Sequence, residues 1–308
     1  MIKTIKILST VLVGVSTLLV SSPTVGEILA TMAPIYPKKD EYLADRVGIP
    51  FEEVSFQSVD GIALQGWFFP GEKADGPAIL YAPATSKDQR SGISLVAPLH
   101  QAGYHVLLFS YRGHGNSEGS RFGFTYGAQE SKDIDAAVSF LSETKRIEKI
   151  GVIGHSAGAA SAILSAARNS RIGALAAVAP FPSVEEIWYA NRPKILPEAL
   201  FELTLRFAEF RKQFSRSQVR PQDVIDQISP RPVLLIHGSN DRRITQKQAF
   251  NLYQSANQPK SMWLVDGASH GEVRSPLLED QIQNLISFFN EALNNTAQPN
   301  CGLIHKKL

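Results

Sequence analysis

Six short apolar runs recur along this chain: AILYAP (78–83), HVLLFSY (105–111), KIGVIGH (149–155), ALAAVAP (174–180), PVLLIHG (232–238) and SMWLVDG (261–267). Most are separated by stretches with helical patterning, notably Tyr126 to Glu143, Ala157 to Arg168, Gln246 to Ala256 and Leu278 to Leu293. A strand that is apolar at nearly every position must be buried on both faces, and helices between such strands supply the two covers. Ahead of these runs, EEVSFQSVDGIALQGWFFPG alternates polar and apolar on either side of Asp60-Gly61, which predicts a hairpin with a D-G turn. The expected fold class is therefore α/β: a mostly parallel sheet of eight strands with helices on both faces.

One interval, 183–229, breaks the rhythm. It has no strand pattern, and Leu200, Leu203, Phe207 and Phe210 recur at helical spacing, so two or three inserted helices are expected. Chain inserted there would sit over the carboxyl edge of the sheet, where open α/β sheets bind ligands. It reads as a small helical cap. Trp188, Tyr189, Phe201, Phe207 and Phe210 offer it an apolar ligand site. Arg206, Arg211, Lys212, Arg216 and Arg220 read as a solvated helix face, the alternative being that they meet anionic groups or anionic lipid near a membrane.

The 308 residues suffice for one α/β domain with a large core that needs no disulfide or metal. The single cysteine, Cys301, forms no intramolecular disulfide, and a net charge of +2 argues against a nucleic-acid partner. Neither a Walker or dinucleotide motif nor a metal-ligand cluster stands out, so no cofactor and no metal are expected. At the N-terminus Lys3 and Lys6 lead into the uncharged run Ile7 to Val20. That is the pattern of a signal anchor or signal peptide, with Pro23 and Pro34 placed unfavourably for cleavage. The reading is a membrane-anchored protein with its globular domain outside the cytoplasm, or a secreted or periplasmic one. The expected divisions are 1–25 signal segment, 26–50 connector, 51–294 α/β domain with its 183–229 helical cap insertion, and 295–308 polar tail.

Chemistry concentrates at Gly154-His155-Ser156-Ala157-Gly158. Serine is a weak nucleophile unless a base adjoins it and its position is sharply exposed, and G-x-S-x-G between strand and helix supplies the exposure. The Ala157 N–H, at the helix start, is a candidate oxyanion donor. Of the seven histidines, His270 follows the last apolar run in V-D-G-A-S-H-G, at the carboxyl edge of the sheet. His155 is expected to point away from the serine. Asp241, in G-S-N-D after PVLLIHG, is the acid that would orient His270; Asp266 and Glu185 are rivals. The catalytic set is Ser156, Asp241 and His270, in the chain order of α/β-hydrolases.

Five segments carry a resemblance to the α/β-hydrolase superfamily: V-S-F-x-S-x-D-G-I-x-L-x-G-W (54–67), Y-R-G-H-G-N-S-E-G (111–119), G-H-S-A-G (154–158), P-V-L-L-I-H-G-S-N-D (232–241) and G-A-S-H (267–270). Glu53 to Asn290 resembles its serine aminopeptidase-like and prolyl-oligopeptidase-like branch with a short N-terminal membrane segment. The resemblance implies the α/β-hydrolase fold and a second oxyanion donor, the N–H of Ala84. Relatives commonly have His-Gly before that donor, where this chain has Ala82-Pro83, and Ser110 stands where an aspartate is common. Arg112 in the R-G-H-G loop reads as a structural tie between loops. The expected activity is hydrolysis of carboxylic esters or thioesters of a small-molecule or lipid acyl substrate. A peptidase or aminopeptidase-like hydrolase is the alternative; a catalytically silent binding protein, or lyase or cofactor-free peroxidase chemistry on the same residues, ranks lower.

Overall fold

Asp60 and Gly61 reverse the chain, with the Gly61 N–H donating to the Ser58 carbonyl at 2.8 Å and the Ser58 N–H to Ile62 at 2.9 Å. The arms are β1 (Glu52–Gln57) and β2 (Ala63–Phe69), and β1 buries Val54 and Phe56 while its other residues face water. The computed structural model describes residues 44–119, 123–273 and 281–294 and the backbone of 302–306. The expected N-terminal membrane segment and most of the connector lie outside the described residues. Among the described residues no helix is long and apolar enough to cross a membrane.

The six apolar runs form β3 (Ala78–Ala82), β4 (His105–Phe109), β5 (Ile150–His155), β6 (Ile172–Val178), β7 (Val233–Gly238) and β8 (Lys260–Val265). The order across the sheet is β1-β2-β4-β3-β5-β6-β7-β8, antiparallel at β1/β2 and β2/β4 and parallel elsewhere. Side chains alternate between two cores, as a pleat requires. Leu80, Val152 and Leu175 face the core covered by α2 (Glu130–Ser139) and α3 (Ala157–Arg168). Ile79, Ile153 and Ala176 face the core covered by α1 (Val96–Gln101) and α7 (Ile282–Asn294). The eight expected strands gain a ninth: β9 (Gly302–Lys306) pairs in parallel with β8, within a tail expected to be merely polar. With two adjacent aliphatic residues, Leu303 and Ile304, that stretch is too short to show strand periodicity. Its backbone covers the edge that β8 would otherwise leave open.

One local expectation is corrected and another is met. Residues 126–129 form a turn, not the start of α2, because the buried Glu130 carboxylate accepts from the Thr125 N–H and hydroxyl and from the Gly127 N–H. That turn holds Tyr126 at a φ of 59°. Arg112 performs the structural role expected of it: its guanidinium joins buried Asp133 on α2, Asp60 in the hairpin turn and Ser58. Burial pushes the Asp133 carboxyl up from its ordinary pKa, against the pull of Arg112.

Between β6 and β7 lie α4 (Val184–Ala190), α5 (Glu198–Lys212) and three short 3-10 turns, and α6 (Gln246–Ser255) follows β7. Ser183 caps α4 by accepting from the Glu186 N–H at 3.1 Å. Helix α5 buries Phe201, Leu205 and Ala208 and turns Phe207 and Phe210 to solvent, so those two phenylalanines line no acyl site. Nor is every basic residue here on a solvated face. Lys212 is buried, and Arg216 reaches Glu202 at 2.5 Å and Glu185 at 3.3 Å.

Glu202 also accepts from the Tyr189 hydroxyl at 2.7 Å and Arg206 at 2.9 Å, tying α4, α5 and the following turn together. The Arg216 hydrogen bond, opposed by partial desolvation and reinforced by Tyr189 and Arg206, holds the Glu202 carboxyl down at about 2. A carboxyl depressed by folding adds stability above its ordinary pKa and loses it as pH falls through the folded value. E202Q is therefore expected to cost about 1 kcal/mol at pH 7, screened because the site is partly open. The gap to wild type should close as pH falls from about 4.5 toward about 2, measured by urea unfolding at each pH.

Candidate active site

Strand β5 ends at His155 and α3 begins at Ala157, leaving one residue for the reversal. That residue, Ser156, takes φ 54° and ψ −117°, a conformation a non-glycine residue holds only when its surroundings impose it. The elbow is clamped on both sides: the Ser156 N–H donates to Val178 of β6 at 2.8 Å, and its carbonyl accepts from Ala160 at 3.1 Å. A Cβ on Gly158 would lie 2.3 Å from the carbonyl oxygens of Ala82 and Pro83, so α3 packs directly on the chain leaving β3.

The loops after β7 and β8 converge on this elbow. They are stitched together: Asn240 donates to the Ala268 carbonyl at 3.0 Å, Ser239 N–H to Val265 at 2.9 Å, and Gly267 N–H to the Ser239 hydroxyl at 2.8 Å. In T-Q-K-Q, Thr245 caps α6 in a reciprocal box with Gln248, fixing where the β7 loop ends. Asp241 is buried, and its Oδ1 accepts from the Arg243 and Ile244 N–H groups, both at 2.9 Å. Its Oδ2 lies 2.7 Å from His270 Nδ1, and His270 Nε2 lies 3.1 Å from Ser156 Oγ. Ser156, His270 and Asp241 thus form one continuous hydrogen-bonded line.

Burial works against ionising Asp241, but the His270 hydrogen bond and charge and the Ile244 N–H outweigh it, leaving its pKa below the ordinary value. The rival acids stand elsewhere: Asp266 is exposed, and Glu185 pairs with Arg216 and Arg220. His237 is buried beside Asp241, its Nε2 3.8 Å from Oδ2 and 2.9 Å from the Ile244 carbonyl. Burial lowers its pKa, so it adjoins the acid as a neutral ring. His155, expected to point away from the serine, has its ring centroid 6.2 Å from that of His270.

Of the two expected oxyanion donors, Ala157 is the first residue of α3, where backbone N–H groups have no partner within the helix. Ala84 lies half-buried in the turn after β3, its carbonyl accepting from Lys87 at 3.1 Å. The Gly158 contact seats that turn against the start of α3.

Ser156 and His270 open onto a cleft beside the inserted segment. Its apolar walls are Tyr126, Phe181, Ile187, Trp188 and Ile244, and its polar ones Thr85, Asn191 and Arg243. Trp188 is the aromatic of the inserted segment that does reach the cleft. Thr85, Asn191 and Arg243 were not singled out from the sequence. Thr85 adjoins Ala84, a hint available in A-P-A-T. Asn191 carried no signal, because its role is tertiary: its amide joins the Ile187 and Arg243 carbonyls, both at 2.8 Å, linking α4 to the Asp241 loop. Among the described residues no group of three or more His, Cys, Asp or Glu side chains is placed to hold a metal.

Residues 91–229 match the family model of serine aminopeptidase, S33. An uncharacterised Mycobacterium tuberculosis protein, Rv2307c, is 30% identical over 71% of this chain and 72% of its own. The chain belongs to the α/β-hydrolase superfamily. It is a hydrolase of α/β fold. The thiohydrolase aneE of Aspergillus aculeatus is 30% identical over 62% of this chain and 61% of its own. Among solved structures, the Pyrococcus furiosus esterase Pf2001 superposes with a TM-score of 0.68 at 21% identity, covering 85% of this chain and 98% of that one. At that identity the esterase speaks for the fold alone.

Proposed function

We propose that this hydrolase cleaves carboxylic esters or thioesters through a covalent acyl-enzyme on Ser156. The unbroken Ser156–His270–Asp241 line, opening onto a largely apolar cleft, carries the reading. His270 Nε2 takes the Oγ proton as Oγ bonds to the substrate carbonyl carbon. The Ala157 and Ala84 N–H groups face the resulting oxyanion. Imidazolium, held by Asp241, returns the proton to the departing alkoxide or thiolate. Water, deprotonated by His270, then attacks the acyl carbon, releasing the acid and restoring the serine.

Ester or thioester is favoured over aminopeptide by charge. A free amino terminus wants a carboxylate, and among the described residues the cleft lining contains none, while Arg243 would repel an ammonium. The thiohydrolase relative agrees with this reading, and the family model's name favours the peptidase alternative. The apolar run Ile7 to Val20 is proposed to hold the domain at a membrane, outside the cytoplasm.

A fluorophosphonate probe followed by peptide mapping should place the adduct on Ser156. In parallel, p-nitrophenyl acyl esters and acyl-thioesters should be turned over at least tenfold faster than aminoacyl p-nitroanilides. An adduct on another residue would refute the nucleophile, and the reverse rate order would favour the peptidase.

A further inference from the structure

Helix α5 shows water the wrong face for a soluble surface. Leu200, Leu203, Phe207 and Phe210, spaced three, four and three residues apart, lie along one stripe and are 42, 63, 56 and 71% exposed. Ile195, just before the helix, is 72% exposed. Isolated exposed apolar residues are ordinary, but a run of large ones along one helix marks an association surface.

The flanking charges identify the partner. Lys194, Arg206 and Arg211 are exposed around the stripe, Arg206 also reaching Glu202 at 2.9 Å. Of the nearby carboxylates, Glu198 faces water, Glu202 is engaged by Arg216 and Tyr189, and Glu209 accepts from the Arg216 N–H at 2.6 Å. An apolar stripe edged by cations suits an anionic lipid surface. It suits a second copy poorly, because a two-fold contact would bring the same cations face to face. The sequence adds a tether: the uncharged run Ile7 to Val20 precedes Ala44 by 23 intervening residues, a span of up to about 75 Å when extended.

We propose that α5 seats this domain on an anionic bilayer, with Leu203, Phe207 and Phe210 entering the interface and Lys194, Arg206 and Arg211 meeting headgroups. The seating has a consequence for the cleft. Tyr189 of α4 bonds Glu202 of α5, and α4 supplies Ile187 and Trp188 to the cleft wall, so the cleft adjoins the helix that meets lipid.

The test uses the full chain carrying F207W or, separately, F210W, with phosphatidylcholine vesicles with and without phosphatidylglycerol. The three native tryptophans, Trp67, Trp188 and Trp263, are buried, so wild type supplies the background. The emission added by either substitution should shift to the blue on phosphatidylglycerol-containing vesicles and be quenched at least twofold by brominated acyl chains. Adding L203D should abolish the quenching, and R206Q/R211Q should weaken it. Three outcomes would overturn the proposal. One is a chain that floats with vesicles while the added emission stays unquenched, leaving α5 in water. Another is equal quenching without phosphatidylglycerol. The third is a blue shift that needs no lipid and grows with protein concentration, which would assign the stripe to a second copy.

Discussion

S156A is expected to lower turnover of a short acyl ester by about a million-fold, and D241N by about ten-thousand-fold, with KM changed little in either. On the proposed mechanism the serine variant removes the atom that bonds to carbon and leaves the cleft and the proposed oxyanion donors in place, so only binding and oxyanion stabilisation remain. The aspartate variant acts one residue further back. Asp241 Oδ2 receives the Nδ1 proton of His270, which leaves Nε2 free to accept from Ser156. An asparagine amide in that place donates instead, stabilising the tautomer whose Nε2 is already protonated. Because the hydrogen bonds around Asp241 hold its pKa below the ordinary value, its charge persists through any assay near neutrality. Initial rates over a substrate range give kcat and KM separately. Activity of S156A within tenfold of wild type would exclude Ser156 as the nucleophile.

The strands and the Ser156, Asp241, His270 set were legible because each rests on a local pattern: apolar runs of strand length, G-x-S-x-G between strand and helix, and loops at carboxyl ends. What escaped depends on contacts distant in sequence. Four apolar residues at helical spacing announced α5 but could not say which stripe faces inward, because Phe201, Leu205 and Ala208 make a competing stripe on the same helix. Burial of that second stripe left Phe207 and Phe210 in water and out of the cleft. The turn at 126–129 was hidden because its cause is the Glu130 side chain, an ordinary helix former until it folds back on three donors. Arg216 looked like surface charge and is a tie between two acidic residues. Asn191 could be noticed only once α4 and the Asp241 loop were seen side by side.

G158A is the change of a single methyl group from which the second large effect is expected. On helix propensity alone it should stabilise α3 by up to about 1 kcal/mol. Geometry opposes this: the new Cβ would sit 2.3 Å from both the Ala82 and Pro83 carbonyl oxygens and 2.8 Å from the Ala82 carbonyl carbon. All three are backbone atoms, so no side chain can rotate away, and either α3 lifts from the sheet or the turn after β3 yields. Overpacking of this kind costs about 1–3 kcal/mol. The catalytic cost should be larger in proportion, because the turn carries Ala84 and the start of α3 carries Ala157, the two proposed oxyanion donors, and loss of one such donor typically lowers kcat about 10²–10³-fold. Thermal unfolding and kcat, measured on the same preparation, separate the two effects. A fall in kcat of that size would support oxyanion donors held where α3 meets this turn, at Ala157 and Ala84. Lost stability with kcat intact would mean that the turn moves without touching the reacting carbonyl, and the second donor would have to be sought elsewhere, beginning with Thr85 on the cleft wall.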